Sequence, residues 1–348
     1  MFKKITAVFM ILILAFNLAA CAETEDEKKR YEAEFLLLFD TVTQVIGYTD
    51  SEEEFNDQVN LIYDNLEVYH QLYDIYNNYD GINNVKTIND QAGIAPVKVD
   101  KRIIDLLLFS KEAYEMTDGK VNAAYGAVLK IWHEHRDAGI EDPEKATLPD
   151  MDQLRKASEH TDISKVIIDE ENTTVFLTDP EMRLDVGAIA KGYATEQVSR
   201  IAEKNGFTNA LISVGGNVRA IGRRGDGTSW KVGIQNPYEQ NGEDISKVNL
   251  TDGSLVTSGV YERYYSVNGK NYHHIIDPKT LYPAEYFLSV SILCPDSGMA
   301  DALSTSVFNM PYEQGLELIE SLPDTAAAWV LPDKQVKYSS RFADFVSD

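Results

Sequence analysis

Apolar residues recur at helical spacing from Phe55 through Val59, Ile62, Leu66 and Tyr69 to Tyr73, which predicts a helix with one buried stripe. Ser51-Glu52-Glu53-Glu54 ahead of it reads as a capping-box start. A strand-like run, Phe39–Tyr48, precedes the helix, and the Asn-, Asp- and Gly-rich stretch Asn77–Asn89 behind it reads as a loop. Helices are predicted over 100–115 and 121–134, then a hairpin of Lys165–Ile168 with Thr173–Leu177. In the second half a helix over 191–205 leads to the strand Ala210–Val214 and the turn Gly215-Gly216-Asn217. Strands follow at 229–235, 254–267, 271–276 and Leu288–Leu293, helices at 299–309 and 312–321, and a last strand at Ala326–Leu331. Asn268-Gly269 is a strong hairpin signal. It pairs Tyr261–Val267 with Lys270–Ile276 and brings Arg263 and Tyr265 near His273 or His274, depending on register. No internal repeat or proline-rich linker divides the chain. The pattern predicts an α+β fold: one large mixed domain, residues 33–348, of twisted, largely antiparallel sheets with flanking helices and a mostly helical insertion in the first half.

The N-terminus follows a different pattern. Lys3 and Lys4, the apolar run Ile5–Leu18 and Leu18-Ala19-Ala20-Cys21 make a secretory signal over residues 1–20, too short to span a membrane comfortably. Its ending resembles the lipobox of bacterial lipoproteins, in which Cys21 becomes the acylated (palmitate-bearing) first residue. The charged residues 21–32 then read as a tether. The chain is therefore expected to be exported and held on the extracytoplasmic face of a bacterial membrane. With Cys21 acylated, Cys294 is the one cysteine left, which excludes a disulfide framework; its apolar surroundings make it a buried structural thiol. The net charge of −24 becomes −26 when the leader is removed with Lys3 and Lys4. Such a surface repels nucleic acid, so no nucleic-acid partner is expected. A polyphosphate ligand would need a cation to screen it.

Four segments carry chemistry. In Asp185-Val186-Gly187-Ala188-Ile189-Ala190-Lys191-Gly192-Tyr193, glycines at a strand-to-helix passage allow close backbone approach, and a helix start with Lys191 suits an anion. Gly215-Gly216-Asn217 after an apolar strand fits either a flat or phosphorylated ligand or a turn of positive φ. Thr257-Ser258-Gly259 and the run His273-His274-Ile275-Ile276-Asp277-Pro278 are expected on the two arms of one predicted hairpin; a histidine so supported suits a general base near neutral pH. Asp301 and Thr305 stand four residues apart on a predicted helix, hard oxygen donors facing one way, as Mg²⁺ prefers. The pairs His133/His135 and His273/His274 have the wrong offsets for zinc.

Taken together, these motifs resemble those of the FAD:protein FMN transferases, the ApbE-like flavin transferases, over about Phe39 to Leu331. The matching segments are Asp185–Tyr193, Ser213–Asn217, Thr257-Ser258-Gly259 with Tyr261-Glu262-Arg263, His274–Pro278, and Ala300–Leu303 with Thr305. The resemblance implies a T-fold-related architecture and an enzyme that cleaves FAD at its pyrophosphate. FMN would pass to a Ser or Thr of an exported or membrane partner protein through a phosphoester, and AMP would leave. It further implies Mg²⁺ on the Ala188 carbonyl, Asp301 and Thr305, and His274 as the base. Flavin contacts would come from Phe39 to Thr41, Tyr79, Asn122, Ala123, Ala124, Tyr125, Asp185, Lys191 and Ile275, with Gly215, Gly216, Thr257, Ser258 and Gly259 lining the site. The chain departs from the family pattern at Asn122-Ala123-Ala124 (usually Asp-x-Thr), Phe39-Asp40-Thr41 (usually Met-Gly-Thr) and Thr280-Leu281 (usually Thr-Gly). Two other functions fit the same residues: an Mg²⁺-dependent FAD pyrophosphatase, with water in place of the acceptor hydroxyl, and a non-catalytic flavin-binding lipoprotein.

Overall fold

The computed structural model describes residues 28–239 and 243–347. The expected signal peptide, Cys21 and the first part of the tether lie outside these residues. Strand β1 (Lys29–Leu36) begins inside the stretch read as tether. Its charges alternate with Tyr31, Ala33 and Phe35, which pack on the helical core, so residues 29–32 belong to the sheet. β1 pairs antiparallel with β2 (Val42–Thr49) through a turn at Leu38–Asp40.

The connection from β2 to the next strand of the sheet is the predicted helical insertion. Helix α1 (Glu52–Tyr73) is capped by Ser51, whose side chain accepts the Glu54 N–H at 3.1 Å. Glu54 answers to the N–H of Asp50 at 3.2 Å. The predicted stripe is buried at Phe55, Ile62, Leu66, Tyr69 and Tyr73. The stretch read as a loop contains α2 (Val85–Asp90), because Asn84 and Thr87 cap each other reciprocally. Next come β3 (Val97–Lys98), α3 (Lys101–Met116) and α4 (Gly126–Glu141). Helix α4 starts five residues later than its pattern suggests, since Asn122 holds a turn by accepting the Ala124 N–H at 2.8 Å. Helix α5 (Met151–Ser158), capped by Asp150, was not expected from the sequence. The predicted hairpin is β4 (Val166–Asp169) with β5 (Thr174–Leu177), and α6 (Ala190–Lys204) ends the insertion.

The main sheet then fills in with β6 (Ala210–Val214), β7 (Asn217–Ile221) and, beyond an outlying ladder of β8 (Trp230–Ile234) and β9 (Ser246–Leu250), β10 (Ser254–Gly259). The expected long strand over 254–267 is broken at 260–263, so β11 (Tyr264–Val267) and β12 (Lys270–His273) form a separate hairpin. Strand β13 (Ser289–Cys294), helices α7 (Ser297–Phe308) and α8 (Tyr312–Ser321), and strands β14 (Ala326–Val330) and β15 (Val336–Tyr338) complete the fold. The eight-stranded sheet runs β1-β2-β6-β7-β10-β13-β14-β15, antiparallel throughout. Helices cover one face; Trp230, Val248, Leu250 and Phe342 cover the other. Burial on both faces explains why β13 and β14 are solid buried runs rather than alternating ones. Cys294 is free and buried there, its thiol pushed up to about 12 by burial, as a structural cysteine should be.

Candidate active site

A cleft of about 430 Å³ opens where the β1–β2 turn, the β6–β7 turn, the end of β10 and the starts of α4 and α6 converge. Phe39, Asn122, Tyr125, Asp185, Ala188, Lys191, Gly215, Thr257, Ser258, Gly259, His274, Ile275, Asp301 and Thr305 all line it. Residues separated by more than 250 positions thus share one site. Four expected contacts do not line it. Ala123 and Ala124 are buried in the core, and Gly216 (φ 85°) serves the β6–β7 turn. Tyr79 sits behind the wall, its hydroxyl donating to Asp74 at 2.8 Å.

One wall is built by contact between helices. A Cβ on Gly192 would lie 2.3 Å from the Ser297 carbonyl and 2.4 Å from the Cβ of Asp301, so only glycine lets α6 meet α7 here. The Gly192 N–H donates to Asp301 Oδ2 at 2.8 Å. Burial pushes the Asp301 carboxyl up, while Lys191 and this N–H oppose the shift. Ser258 Oγ and Ser304 Oγ share a hydrogen bond at 2.8 Å, and Ser304 Oγ donates to the Asp301 carbonyl at 2.9 Å, tying β10 to α7. Thr257 points the other way along the strand, to Ser291 Oγ at 2.7 Å. Below them the buried Glu196 of α6 accepts from Ser297 N at 2.9 Å, Arg219 Nε at 3.0 Å and Arg200 Nε at 2.8 Å, fixing the start of α7. A carboxylate, a threonine one helical turn on and the Ala188 backbone offer hard oxygen atoms, the donor set Mg²⁺ takes. No group of three His, Cys, Asp or Glu side chains gathers as at a zinc centre among the described residues. The residues fit Mg²⁺.

The other wall is built from single hydrogen bonds. Tyr264 stands opposite His273 in the hairpin ladder, which leaves His274 beside Arg263; Tyr265 pairs with Tyr272, not with a histidine. The Arg263 carbonyl accepts the His274 N–H and also lies 3.1 Å from His274 Nδ1. A carbonyl only accepts, so Nδ1 carries the proton and Nε2 is bare. Burial, aided by Lys191, His273 and Arg263, pushes this imidazole down to about 3, against the pull of the carbonyl bond, so it is neutral at pH 7. His273 has both nitrogens occupied, Nε2 by the Ala284 carbonyl at 2.8 Å and Nδ1 by the Ile275 N–H at 3.2 Å. His273 is structural.

The departures from the family pattern keep their backbone shapes. Asp40 (φ 53°) and Leu281 (φ 62°) adopt left-handed conformations where glycine is usual. Asn122 still closes its turn, with its amide on the Thr161 carbonyl at 2.8 Å. His70, Asp74, His133 and Arg136, none of them expected from the sequence as site residues, also line the cleft, as does Glu262 of the matching segment. His70 interrupts the apolar edge of α1 between Tyr69 and Tyr73, the one signal that could have flagged it.

Fold and cleft bring a carboxylate, a threonine, a lysine and a neutral histidine around one open space. The ApbE family model matches residues 39–330, and the chain belongs to that family. It is 37% identical over 273 residues to the FAD:protein FMN transferase of Treponema pallidum, covering 74% of each chain. With the FAD:protein FMN transferase of Klebsiella pneumoniae it shares 33% over 261 residues, 74% of this chain and 77% of that one. The crystal structure of the ApbE protein of Thermotoga maritima superposes with a TM-score of 0.80 at 29% identity, over 92% of this chain and all of that one.

Proposed function

We propose that the cleft binds FAD with Mg²⁺ and transfers FMN to a Ser or Thr hydroxyl of an exported or membrane protein, releasing AMP. The supporting observation is the meeting of Asp301, Thr305, Ala188, Lys191 and a neutral His274 in one cleft of a chain whose relatives carry the name FAD:protein FMN transferase. Phosphoryl transfer is chiefly positioning and charge neutralisation. When bound, Mg²⁺ would supply that neutralisation, held by Asp301, Thr305 and the Ala188 carbonyl. Lys191 faces the same space with its charge. The bare Nε2 of His274 takes the proton from the acceptor hydroxyl as its oxygen bonds to the FMN phosphorus and the pyrophosphate bond to AMP breaks. The anionic pyrophosphate offsets Lys191 and Arg263, raising the basicity of His274 when it matters. Acylation at Cys21 would keep the enzyme at the membrane face where such partners sit.

The test is incubation with FAD, Mg²⁺ and an exported protein bearing a flavinylation Ser or Thr, read by intact mass and nucleotide analysis. FMN-sized mass on the acceptor with stoichiometric AMP is expected. FMN and AMP with an unlabelled acceptor would make the protein a pyrophosphatase, and surviving FAD would make it a binding protein.

A further inference from the structure

The β1–β2 turn is bent in a way its residues disfavour. Leu37 (φ 83°), Phe39 (φ 54°) and Asp40 (φ 53°) all stand in the left-handed region, and none is glycine. Such a turn holds its shape only if something outside it does the holding. Two side chains reach it from other elements. His70, on the last full turn of α1, accepts the Phe39 N–H on Nδ1 at 3.2 Å, with its ring 5.6 Å from that of Phe39 and edge-on. Arg263, from beyond the cleft, donates to the Phe39 carbonyl at 3.4 Å.

The polarity of the first contact fixes the rest. A backbone N–H only donates, so His70 Nδ1 is bare and the ring's proton is on Nε2. Nε2 lies 3.4 Å from the Tyr79 hydroxyl, which itself donates to Asp74 at 2.8 Å. One directional chain therefore runs from Phe39 N–H through His70 and Tyr79 to Asp74. It ties the turn to α1 and uses up the Tyr79 hydroxyl.

We infer that His70 is a positioning residue for flavin binding: it holds the Phe39–Thr41 turn in the strained shape that makes it a wall of the cleft, with Tyr79 and Asp74 orienting it from behind. This rests on the reading that the cleft binds FAD.

Strain supplies the test. Free FAD is titrated against the full chain in Mg²⁺, with thermal unfolding followed in parallel. His70→Leu should weaken FAD binding about tenfold. His70→Asn, whose Oδ1 can accept near the Nδ1 position, should recover most of the loss. Asp40→Gly in the His70→Leu background should also recover affinity, because glycine adopts the left-handed turn without a clamp. If His70→Leu binds FAD as tightly as the unaltered protein, the inference is wrong. If Asp40→Gly brings nothing back, His70 touches the flavin itself and the positioning role fails. If His70→Leu does not fold, the two variants Asp40→Gly/His70→Leu and His70→Asn decide by the same criteria. An unaltered protein that binds no FAD would instead overturn the proposed function.

Discussion

The two walls of the cleft are held by different physics. The α6–α7 wall is positioned by packing: Gly192 allows backbone contact, and the buried Glu196 accepts the Ser297 N–H at the start of α7 while Arg219 of β7 and Arg200 of α6 hold its carboxylate in place. At the wall of hairpin and β1–β2 turn, the contacts that face the cleft are single bonds, His274 on the Arg263 carbonyl and Phe39 between His70 and Arg263. Under the proposed function the packed wall would carry the cation, which needs fixed ligands, and the bonded wall the base and a flavin contact, which tolerate adjustment.

Asp301→Ala should break the packed wall's function most completely. Under the proposed function Mg²⁺-dependent turnover is expected to fall by about a thousandfold or more, since the one carboxylate of the proposed metal set is gone. Retained Mg²⁺ dependence in a nucleotide-release assay would refute the metal assignment. Gly192→Ala tests the packing directly. The added Cβ cannot fit against Ser297 and Asp301 without parting the helices, so a stability loss of about 1–3 kcal/mol is expected in denaturant unfolding, with weaker Mg²⁺ dependence alongside. An unchanged unfolding midpoint would mean the helices are not in this contact.

On the bonded wall, His274→Ala should slow transfer about a hundredfold and leave FAD binding largely intact. Lost binding would make His274 a ligand contact. The pH dependence sharpens this. Burial holds His274 far below its ordinary 6.5, and holds His273 and His133 below it as well. The unfolded chain therefore takes up protons first as pH falls, so the stability these groups contribute is present above about pH 6.5 and is lost below it, for His274 progressively toward 3. Unfolding measured from pH 8 to 4 should show this decline, shallower in His274→Ala. A decline of equal slope would mean that His274 is not held neutral by the fold.

The same contrast decides what the sequence made legible. Elements with a local period announce themselves: the stripe of α1 and the Asp301–Thr305 spacing stand in the structure as the pattern places them. The order of segments Asp185–Tyr193, Thr257–Gly259, His274 and Asp301 was enough to gather them into one cleft. Features that depend on individual side-chain bonds were not legible. Asn84 makes a helix inside an apparent loop, Asn122 delays α4, and His70 and Asp74 engage the Tyr79 hydroxyl. β1 was missed because charges on its open face masked a period of two. Glu196 was missed because the Arg219 it pairs with lies on another element, and no spacing encodes that meeting.

The smallest expected effect lies at the hairpin tip, and it asks where the bonded wall is anchored. Lys270 pairs with Glu285 at 2.8 Å, yet both side chains are more than half exposed, so water screens the pair. The hairpin has firmer attachments nearer its base. The Tyr265 hydroxyl donates to the Thr147 carbonyl at 3.1 Å, and Gly139 of α4 lies so close to the Tyr265 ring that a Cβ would come within 2.7 Å of it. Lys270→Ala should therefore change stability by less than about 0.5 kcal/mol in denaturant unfolding and leave the transfer rate within about twofold. A larger fall in rate with unchanged stability would show that the tip, and not Tyr265 against α4, sets the position of Arg263 and through it the proton on His274 Nδ1.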